Sequence, residues 1–449
     1  MEENNSLPLD LDITAQNLPV SATLAINELI EEKEKEQRQR VLHMGFGEAA
    51  FPLHPLMKNA LAQFASATKY SPVLGIPELR SAIAEFLSHQ RNMTFKPHQI
   101  IIGPGSKALL YGLFQLFEGD VLIPSPSWVS YAPIARMAGK KVIPVHTDSK
   151  AILRLSVKNL NNAVNEAKKI GADPHVLIIN SPNNPTGFMF SSTDVKILAA
   201  WSRKNNITLI SDEIYAELAF GWRKHITPAK YFPEGTIITG GLSKSFSAGG
   251  WRLGYAAVPD TKAGAKVTQG IRSVGSAIWS CTATPIQKAA VVAFSENPAI
   301  TQYVHQSALV FGYVTTKLYE VFKDLGVPCP RPAGGFYLYP DFYPWRKELL
   351  KRGVRTNREL AYYLLEEWNI ATLPASEFNE EPNVLRLRLA TNRLCEPAKG
   401  ISAQKREDFL WNLLHTVEEK DFNPTLPELK FAQERWTKVI ASLNEQRKQ

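Results

Sequence analysis

The sequence has 449 residues, of which 44% are hydrophobic and 21% are charged, and this length and composition permit two or three ordinary globular domains. The formal net charge is +8. However, the basic residues form no stripe interleaved with aromatics and there is no zinc-finger spacing, so we expect neither a nucleic-acid partner nor a metal site. No apolar run reaches ~18 residues and the first segment is acidic, which predicts no membrane span and no secretory signal. Three widely separated cysteines predict reduced thiols and a cytoplasmic location.

From residue 98 onward, short apolar runs rich in β-branched residues alternate with stretches of helical periodicity such as "SKALLYGLFQLF" and "STDVKILAAWSRKNN". The alternation predicts an α/β fold in which helices cover both faces of a mostly parallel sheet. Ligands of such folds bind at the carboxyl ends of the strands. The predicted strands are "HQIIIG" (98–103), "DVLIPS" (120–125), "HVLIINSP" (175–182), "ITLISDE" (207–213) and "TIITGG" (236–241).

The pattern changes after about residue 310. A long helical stretch, "ALVFGYVTTKLYEVFKDLG", precedes the strand-like runs "GGFYLYPDF" and "VLRLRLA", which together predict a smaller α+β unit. After "NPTLP", apolar residues at helical spacing predict a terminal helix that packs on its own domain, in preference to a partner protein. These residues are Leu429, Ala432, Trp436, Val439, Ile440 and Leu443.

Three segments at strand ends carry residues suited to a bound ligand, and each has a simpler alternative. In "SDEIYAEL", Asp212 could keep a nearby ring nitrogen protonated, but a helix N-cap is the favoured interpretation of this segment alone. In "NSPNNPTG", a rigid turn presents the Asn184 amide, although a plain loop has the same composition. In "PSPSWVSY", stacking of Trp128 on a flat ring and packing in the core are equally favoured.

The segment "GPGSKALL" places glycines and a hydroxyl at a predicted helix start, where free N–H groups and the helix dipole bind anions. Read as G-x-G-x-x-A, it also imitates a dinucleotide fingerprint. That match is weak because the acidic residue expected ~20 residues later is off-position, with Asp120 too early. A nicotinamide-dependent oxidoreductase therefore stays a distant alternative.

Lys244 lies between two serines in "GGLSKSFSAGGWRLGY", a run poor in bulky and charged residues. A lysine forms Schiff bases with carbonyl compounds when burial or neighbouring cations depress its pKa. Arg252, in the same segment, suits a phosphate group. Together with the strand-end segments, these residues describe one ligand, a phosphorylated pyridine aldehyde.

In combination and order, the motifs resemble those of the class I/II aminotransferases, pyridoxal-phosphate enzymes of fold type I, over roughly residues 18–415. The resemblance implies a large domain with a mostly parallel seven-stranded sheet and a smaller α+β domain built from both chain ends. It divides the chain into an N-terminal arm with part of the small domain (1–48), a large cofactor-binding domain (49–310) and a small domain with the terminal helix (311–449).

The resemblance implies a role for each matching cofactor residue. Asp212 in "DEIY" would pair with the pyridine nitrogen, while Tyr215 and Asn184 would bind the phenolic oxygen. Lys244 would hold the cofactor as a Schiff base and later move the α-proton, and Trp128 would stack on the ring. The remaining residues would bind the phosphate: Gly105, Ser106, Lys107, Ser243, Arg252 and, from the neighbouring subunit of a homodimer, Tyr70.

Two further segments imply the substrate site, which Trp128 and Asn184 also border. "VLRLRLA" matches a strand whose arginine, four residues before the alanine, binds the substrate α-carboxylate, which assigns Arg386. "GFGEAAFP" places Gly47 beside that carboxylate. Strand alternation puts Arg388 on the same face as Arg386, so Arg388 and Lys107 are the cations considered for a side-chain carboxylate.

Three positions depart from the family pattern without removing a catalytic group. Gly241 stands where a serine or threonine usually contacts the phosphate, so one contact is lost, for which Ser243 or Ser106 can compensate. "GEAAF" replaces "GEPDF", and Ala375 replaces a glycine.

The segments "PSPSWVSY" and "GIPELR" resemble the aspartate/prephenate aminotransferase branch. We therefore expect ping-pong transamination from aspartate, or from a broad or aromatic donor, to 2-oxoglutarate, with an alanine-type donor ranked third. A fold type I lyase or decarboxylase would share every cofactor residue and stays an alternative. A cofactor-sensing transcription regulator is disfavoured because only about 20 residues precede the match.

Overall fold

The computed structural model describes residues 40–147, 154–221 and 223–445, so the predicted N-terminal arm lies, up to residue 39, outside the described residues. Its strands are β1 Leu42–His43, β2 Ile100–Gly103, β3 Asp120–Ser125, β4 Val142–His146, β5 Pro174–Asn180, β6 Thr208–Asp212, β7 Thr236–Gly241, β8 Gly254–Ala257, β9 Tyr337–Leu338, β10 Ile370–Ala371, β11 Leu373–Pro374 and β12 Leu387–Ala390. Its α-helices are α1 Pro55–Phe64, α2 Pro77–Arg91, α3 Ser106–Leu116, α4 Tyr131–Met137, α5 Val157–Lys169, α6 Ser192–Lys204, α7 Lys262–Ile278, α8 Thr284–Phe294, α9 Pro298–Asp324, α10 Arg346–Lys351, α11 Asn357–Trp368, α12 Ala403–Thr416 and α13 Pro427–Glu445.

The central sheet has seven strands in the order β2-β8-β7-β6-β5-β3-β4. Six strands run in one direction, and only β8 is antiparallel to its neighbours β2 and β7. The predicted seven-stranded, mostly parallel sheet is confirmed. Because the parallel strands share a direction, the ends of β2, β3, β5, β6 and β7 meet at one edge of the sheet, where we expected the ligand.

Both faces of the central sheet are buried, which explains the continuous apolar strands. In β5, Val176 and Ile178 enter one core cluster, whereas Leu177 and Ile179 enter another on the opposite face. A strand covered on both faces needs no polar alternation. Five of the seven central strands were predicted for this reason, whereas β4 and β8 were missed: β4 is a partly exposed edge strand and β8 consists of four mostly small residues.

A second, smaller unit surrounds the antiparallel sheet β11-β12-β9 and the parallel pair formed by β1 and β10. The pairing of β1 with β10 brings the segment around residue 42 into contact with the C-terminal part of the chain, as the resemblance implied. The long predicted helix is α9, whose 27 residues continue through position 310. The proposed domain boundary therefore falls within a continuous helix.

The terminal helix α13 packs on the small unit as predicted, because all six apolar residues of its predicted face are buried. Trp436 is fully buried, and its indole N–H donates to the Met44 sulfur at 3.4 Å. Over the described ranges, no helix has the length and apolar character needed to cross a bilayer.

Candidate active site

A cavity of about 420 Å³ opens at the carboxyl edge of the central sheet, a volume typical of small-molecule sites. It collects side chains from the large unit, from the segment before α1 and from the small unit. Its lining residues are Phe46, Gly47, Glu48, Ser106, Lys107, Trp128, Ser130, Tyr131, Asn180, Asn184, Asp212, Ile214, Tyr215, Ser243, Lys244, Gly249, Arg252, Tyr337 and Arg388. Ten of the thirteen residues predicted from the sequence are among them, and the exceptions are Gly105, Tyr70 and Arg386.

One end of the cavity is built to bind an anion. Helix α3 begins at Ser106, and its N-cap Gly105 has φ +81°, a conformation that favours glycine. A Cβ on Gly105 would lie 2.4 Å from an Nη atom of Arg252, so the guanidinium contacts the backbone at the helix start. Free N–H groups, the helix dipole and a guanidinium thus converge there, as a phosphate requires.

Gly241 and Gly254 face each other in the ladder between β7 and β8 beneath this anion site. A Cβ on Gly241 would lie 2.7 Å from the Leu253 carbonyl oxygen, and one on Gly254 would lie 2.5 Å from the Ser106 nitrogen. The structure therefore leaves no space for the serine or threonine usual at position 241. Ser243 and Ser106 both line the cavity, where they can supply the missing contact.

Lys244 points into the cavity, and its Nζ donates to the Gly47 carbonyl oxygen at 2.7 Å. Burial lowers its pKa to about 8, and the neighbouring cations act in the same direction, while Glu48 opposes them. A lysine with this pKa is partly neutral near pH 7–8, which is the state that attacks a carbonyl. This agrees with the sequence-based interpretation of the segment.

Asp212 ends β6 and is 2% exposed. Burial raises the pKa of its carboxyl group to about 6, while hydrogen bonds from the Tyr131 hydroxyl, at 2.5 Å, and from the Ile214 N–H act against this rise. A cationic ring nitrogen would favour the ionised carboxylate further. Tyr131 thus orients Asp212, a role that was not predicted from the segment "PSPSWVSY", which ends at this residue.

The hydroxyl of Tyr337 connects Asn184 and Tyr215 by hydrogen bonds. Tyr337 was not among the predicted site residues. The Tyr337 hydroxyl lies 2.8 Å from that of Tyr215 and 3.4 Å from Asn184 Nδ2. Asn184 Oδ1 is buried without a hydrogen-bond partner, which is rare for a side-chain amide. Gly47 closes this part of the cavity, since a Cβ there would lie 2.2 Å from the Tyr337 hydroxyl.

Arg386, which was predicted to bind the substrate carboxylate, does not face the cavity in the structure. Arg386 lies outside the cavity lining, and its guanidinium is paired with Asp341 at 3.0 Å and Glu380 at 2.7 Å. Arg388 lines the cavity instead, between the rings of Tyr337 and Phe378. The cavity therefore lies nearer Arg388 than Arg386.

Arg388 has the properties of an anion-binding arginine. It is 1% exposed, its guanidinium donates to the Gly45 carbonyl oxygen, and its Nε is buried without a partner. No carboxylate pairs with it among the described residues. Burial lowers its pKa, and an anionic partner would reverse that shift.

The residues of the cavity fit pyridoxal phosphate. The helix start with Arg252 suits its phosphate, Lys244 its aldehyde and Asp212 its ring nitrogen. Asn184 Oδ1 is buried without a partner, so this amide has hydrogen-bonding capacity left for a polar ligand. Trp128 borders the cavity and has Lys107 Nζ 5.3 Å from its ring centroid. Within residues 40–147, 154–221 and 223–445, no cluster of His, Cys, Asp or Glu suits a metal ion.

Comparison with known proteins agrees with this site. The sequence model of the family "Aminotransferase class I and II" matches residues 39–397. A probable aspartate/prephenate aminotransferase of Aquifex aeolicus is 34% identical over 87% of this chain and 97% of its own length. The aspartate aminotransferase of Bacillus subtilis is 33% identical over 84% of this chain and 93% of its own length.

A solved structure of the aspartate aminotransferase from Thermus thermophilus with maleate superimposes with a TM-score of 0.79. It is 28% identical in sequence, and the alignment covers 96% of this chain and 99% of that one. These relatives favour transamination over the lyase, decarboxylase and nicotinamide alternatives.

Proposed function

The chain belongs to the aminotransferase class I and II family and uses pyridoxal phosphate to transaminate, and on this premise we propose that its amino donor is L-aspartate. The single observation that supports a dicarboxylic donor is a pair of cavity cations, Arg388 and Lys107, that remain after Arg252 and Lys244 are assigned to the cofactor. The acceptor is a 2-oxo acid, for which we propose 2-oxoglutarate. An aromatic or broad donor is the alternative.

A small set of the cavity side chains performs the steps of this reaction. The bound cofactor supplies an electron sink for the pair left at the substrate α-carbon when a proton is removed. Lys244 Nζ takes that proton as general base and returns it, as general acid, to a different carbon, which lies beyond the amino nitrogen of the substrate. Its pKa of about 8 suits both directions near neutral pH.

Asp212, held by the Tyr131 hydroxyl, would supply a negative charge to the ring nitrogen of the bound cofactor. Arg388 binds the α-carboxylate in a pocket formed by the rings of Tyr337 and Phe378. A planar guanidinium matches a carboxylate with two parallel hydrogen bonds, so Arg388 fixes the α-carbon relative to Lys244.

Lys107 is the residue that we propose for the side-chain carboxylate. It follows the first residue of α3 and faces the cavity above Trp128. Burial and the nearby Arg252 lower its pKa, so an added carboxylate would stabilise its charged form.

The proposal is tested by Lys107→Ala, assayed in parallel with aspartate and alanine as donors. Loss of a charge-assisted hydrogen bond costs about 1.5–3 kcal/mol, so kcat/KM for aspartate should fall by about 10–100-fold. The value for alanine, which has no side-chain carboxylate, should stay nearly constant. Lys58→Ala, at an exposed position in α1, is the matched control.

An equal loss for both donors would reject Lys107 as the residue that binds the side chain. An unmodified enzyme that prefers tyrosine to aspartate would reject the dicarboxylic donor itself and favour the aromatic alternative.

We also propose that the enzyme is a homodimer in which Tyr70 reaches the phosphate site of the neighbouring subunit. Tyr70 is 88% exposed in the single chain and lies outside its own cavity, which supports a contact with another copy. The expected result is a dimer by light scattering, with weaker cofactor binding in Tyr70→Phe. A monomer with full activity would contradict this.

We further propose a cytoplasmic location for the enzyme. The three cysteines, which form no disulfide, support this proposal.

A further inference from the structure

Three side chains beside the cavity form an ion-pair cluster that the reaction does not use. Arg386 binds Asp341 through Nε at 3.0 Å and Glu380 through Nη1 at 2.7 Å. We call Asp341, Glu380 and Arg386 the acidic clamp. The side chains of Arg386 and Glu380 are only 12% and 9% exposed, so this is not an ordinary solvated surface pair.

The acidic clamp is connected to the substrate arginine through aromatic rings. Tyr339, fully buried, donates its hydroxyl to the second oxygen of Glu380 at 2.7 Å. The ring of Tyr339 lies edge-on to Phe378, with centroids 6.2 Å apart. Phe378 in turn lies 5.3 Å from the guanidinium carbon of Arg388. Glu380 is thus three contacts away from the group that faces the substrate.

The loop that carries Glu380 also contacts the large unit. Asn379 accepts a hydrogen bond from the Ser125 hydroxyl at 2.5 Å and donates to the Ser127 hydroxyl at 3.1 Å. The Phe378 carbonyl accepts from the Ser127 N–H at 3.1 Å. Ser127 immediately precedes Trp128, so loop 375–380 joins the carboxylate-binding strand to the ring-stacking segment.

Arg386 and Arg388 are both cations near the cavity, and the acidic clamp distinguishes them by pairing only Arg386 with carboxylates. Residues two apart on one strand face are separated by about 6.8 Å, so a free guanidinium at 386 would attract the same anionic substrates as Arg388. Two carboxylates pair with Arg386, whereas Arg388 has no carboxylate partner in the described part of the chain.

We propose that Glu380 is a positioning residue for amino-acid binding: together with Asp341 it holds the Arg386 guanidinium and, through Tyr339 and Phe378, it fixes the Arg388 guanidinium toward the cavity. This inference rests on the proposed role of Arg388 in binding the α-carboxylate. It assigns no chemistry to Glu380 itself, whose removal should affect substrate capture and leave the cofactor environment intact.

The experiment compares Glu380→Gln with Glu381→Gln in the holoenzyme. The control removes the same charge from an exposed neighbour whose side chain lies outside the acidic clamp. For Glu380→Gln we expect a rise of about tenfold or more in KM for aspartate, because small displacements of a binding group have effects of this size. We expect little change in kcat and an unchanged pH profile of the cofactor absorbance. Glu381→Gln should resemble the unmodified enzyme.

Binding is measured separately with 2-methylaspartate, which has no α-proton and therefore reports capture without turnover. Tyr339→Phe, which removes only the hydroxyl, should weaken this binding in the same direction and keeps the proposal testable if Glu380→Gln folds poorly. Equal KM values for Glu380→Gln and Glu381→Gln, or a loss confined to kcat, would overturn the inference. Failure of the unmodified enzyme to transaminate aspartate would instead overturn the proposed function.

Discussion

Replacing Gly241 with serine, a residue usual at this position in the family, should lower the stability of the protein and weaken its binding of the cofactor. In Gly241→Ser the new Cβ would lie 2.7 Å from the Leu253 carbonyl oxygen and 3.0 Å from the Gly254 Cα. Both are backbone atoms of the adjoining strand, which cannot rotate away. Overpacking of this kind costs about 1–3 kcal/mol. A new hydrogen bond to a phosphate contributes about 1.5–3 kcal/mol, but the displaced strand would place the hydroxyl wrongly and disturb the α3 start above Gly254.

We therefore expect Gly241→Ser to lower the melting temperature and to raise the dissociation constant for pyridoxal phosphate by about 5–100-fold. Cofactor binding is measured by absorbance titration of the cofactor-free enzyme. Gly250→Ser is the matched control, because no atom lies within 4 Å of a Cβ at that position. A Gly241→Ser enzyme that is as stable as the unmodified protein and binds the cofactor more tightly would refute the reasoning.

Three other predictions follow from the cavity. Lys244→Ala should keep the fold but lose the visible absorbance of the bound cofactor and at least about 10³-fold of the activity; normal turnover would reject the assignment. Arg388→Gln should raise KM for amino acids by about 10–100-fold with an unchanged cofactor spectrum, and steady-state kinetics with an unaffected KM would contradict its role. Capture of pyridoxal phosphate by the cofactor-free enzyme should accelerate as the pH rises through about 8, because the lowered pKa of Lys244 makes the amine neutral above that value. Stopped-flow absorbance would detect a midpoint near 10.5 if the lysine were unperturbed.

Residues that follow long buried strands were predictable from the sequence. Asp212, Asn184 and Lys244 each come after an apolar run, and parallel strands carry their ends to one edge by geometry alone. The motifs then distinguished these residues from simple caps and loops. The same logic identified Ser106 at the anion site, whereas Arg252 was assigned from its place in the Lys244 segment.

Residues from the small unit were harder to predict, because its strands are only two to four residues long. Alternation placed Arg386 and Arg388 on one face but could not tell which of them lies nearer the cavity. Tyr337 contributes through cross-strand pairing, in which it lies opposite Ala390. Such a register depends on contacts between distant segments, so no local pattern indicates it.

The contact between Trp436 and Met44 has a consequence for the order of synthesis. Met44 precedes Gly45 and Gly47, whose carbonyl groups hold the side chains of Arg388 and Lys244. Its partner Trp436 lies 392 positions later in the chain, and at ribosomal speeds this distance takes roughly 20–80 s to translate. The segment around Met44, which borders the cavity, is therefore synthesised early among the described residues. The helix α13 that packs against it is synthesised last. During that interval the apolar surface around Met44 lacks the cover that α13 gives it in the folded chain.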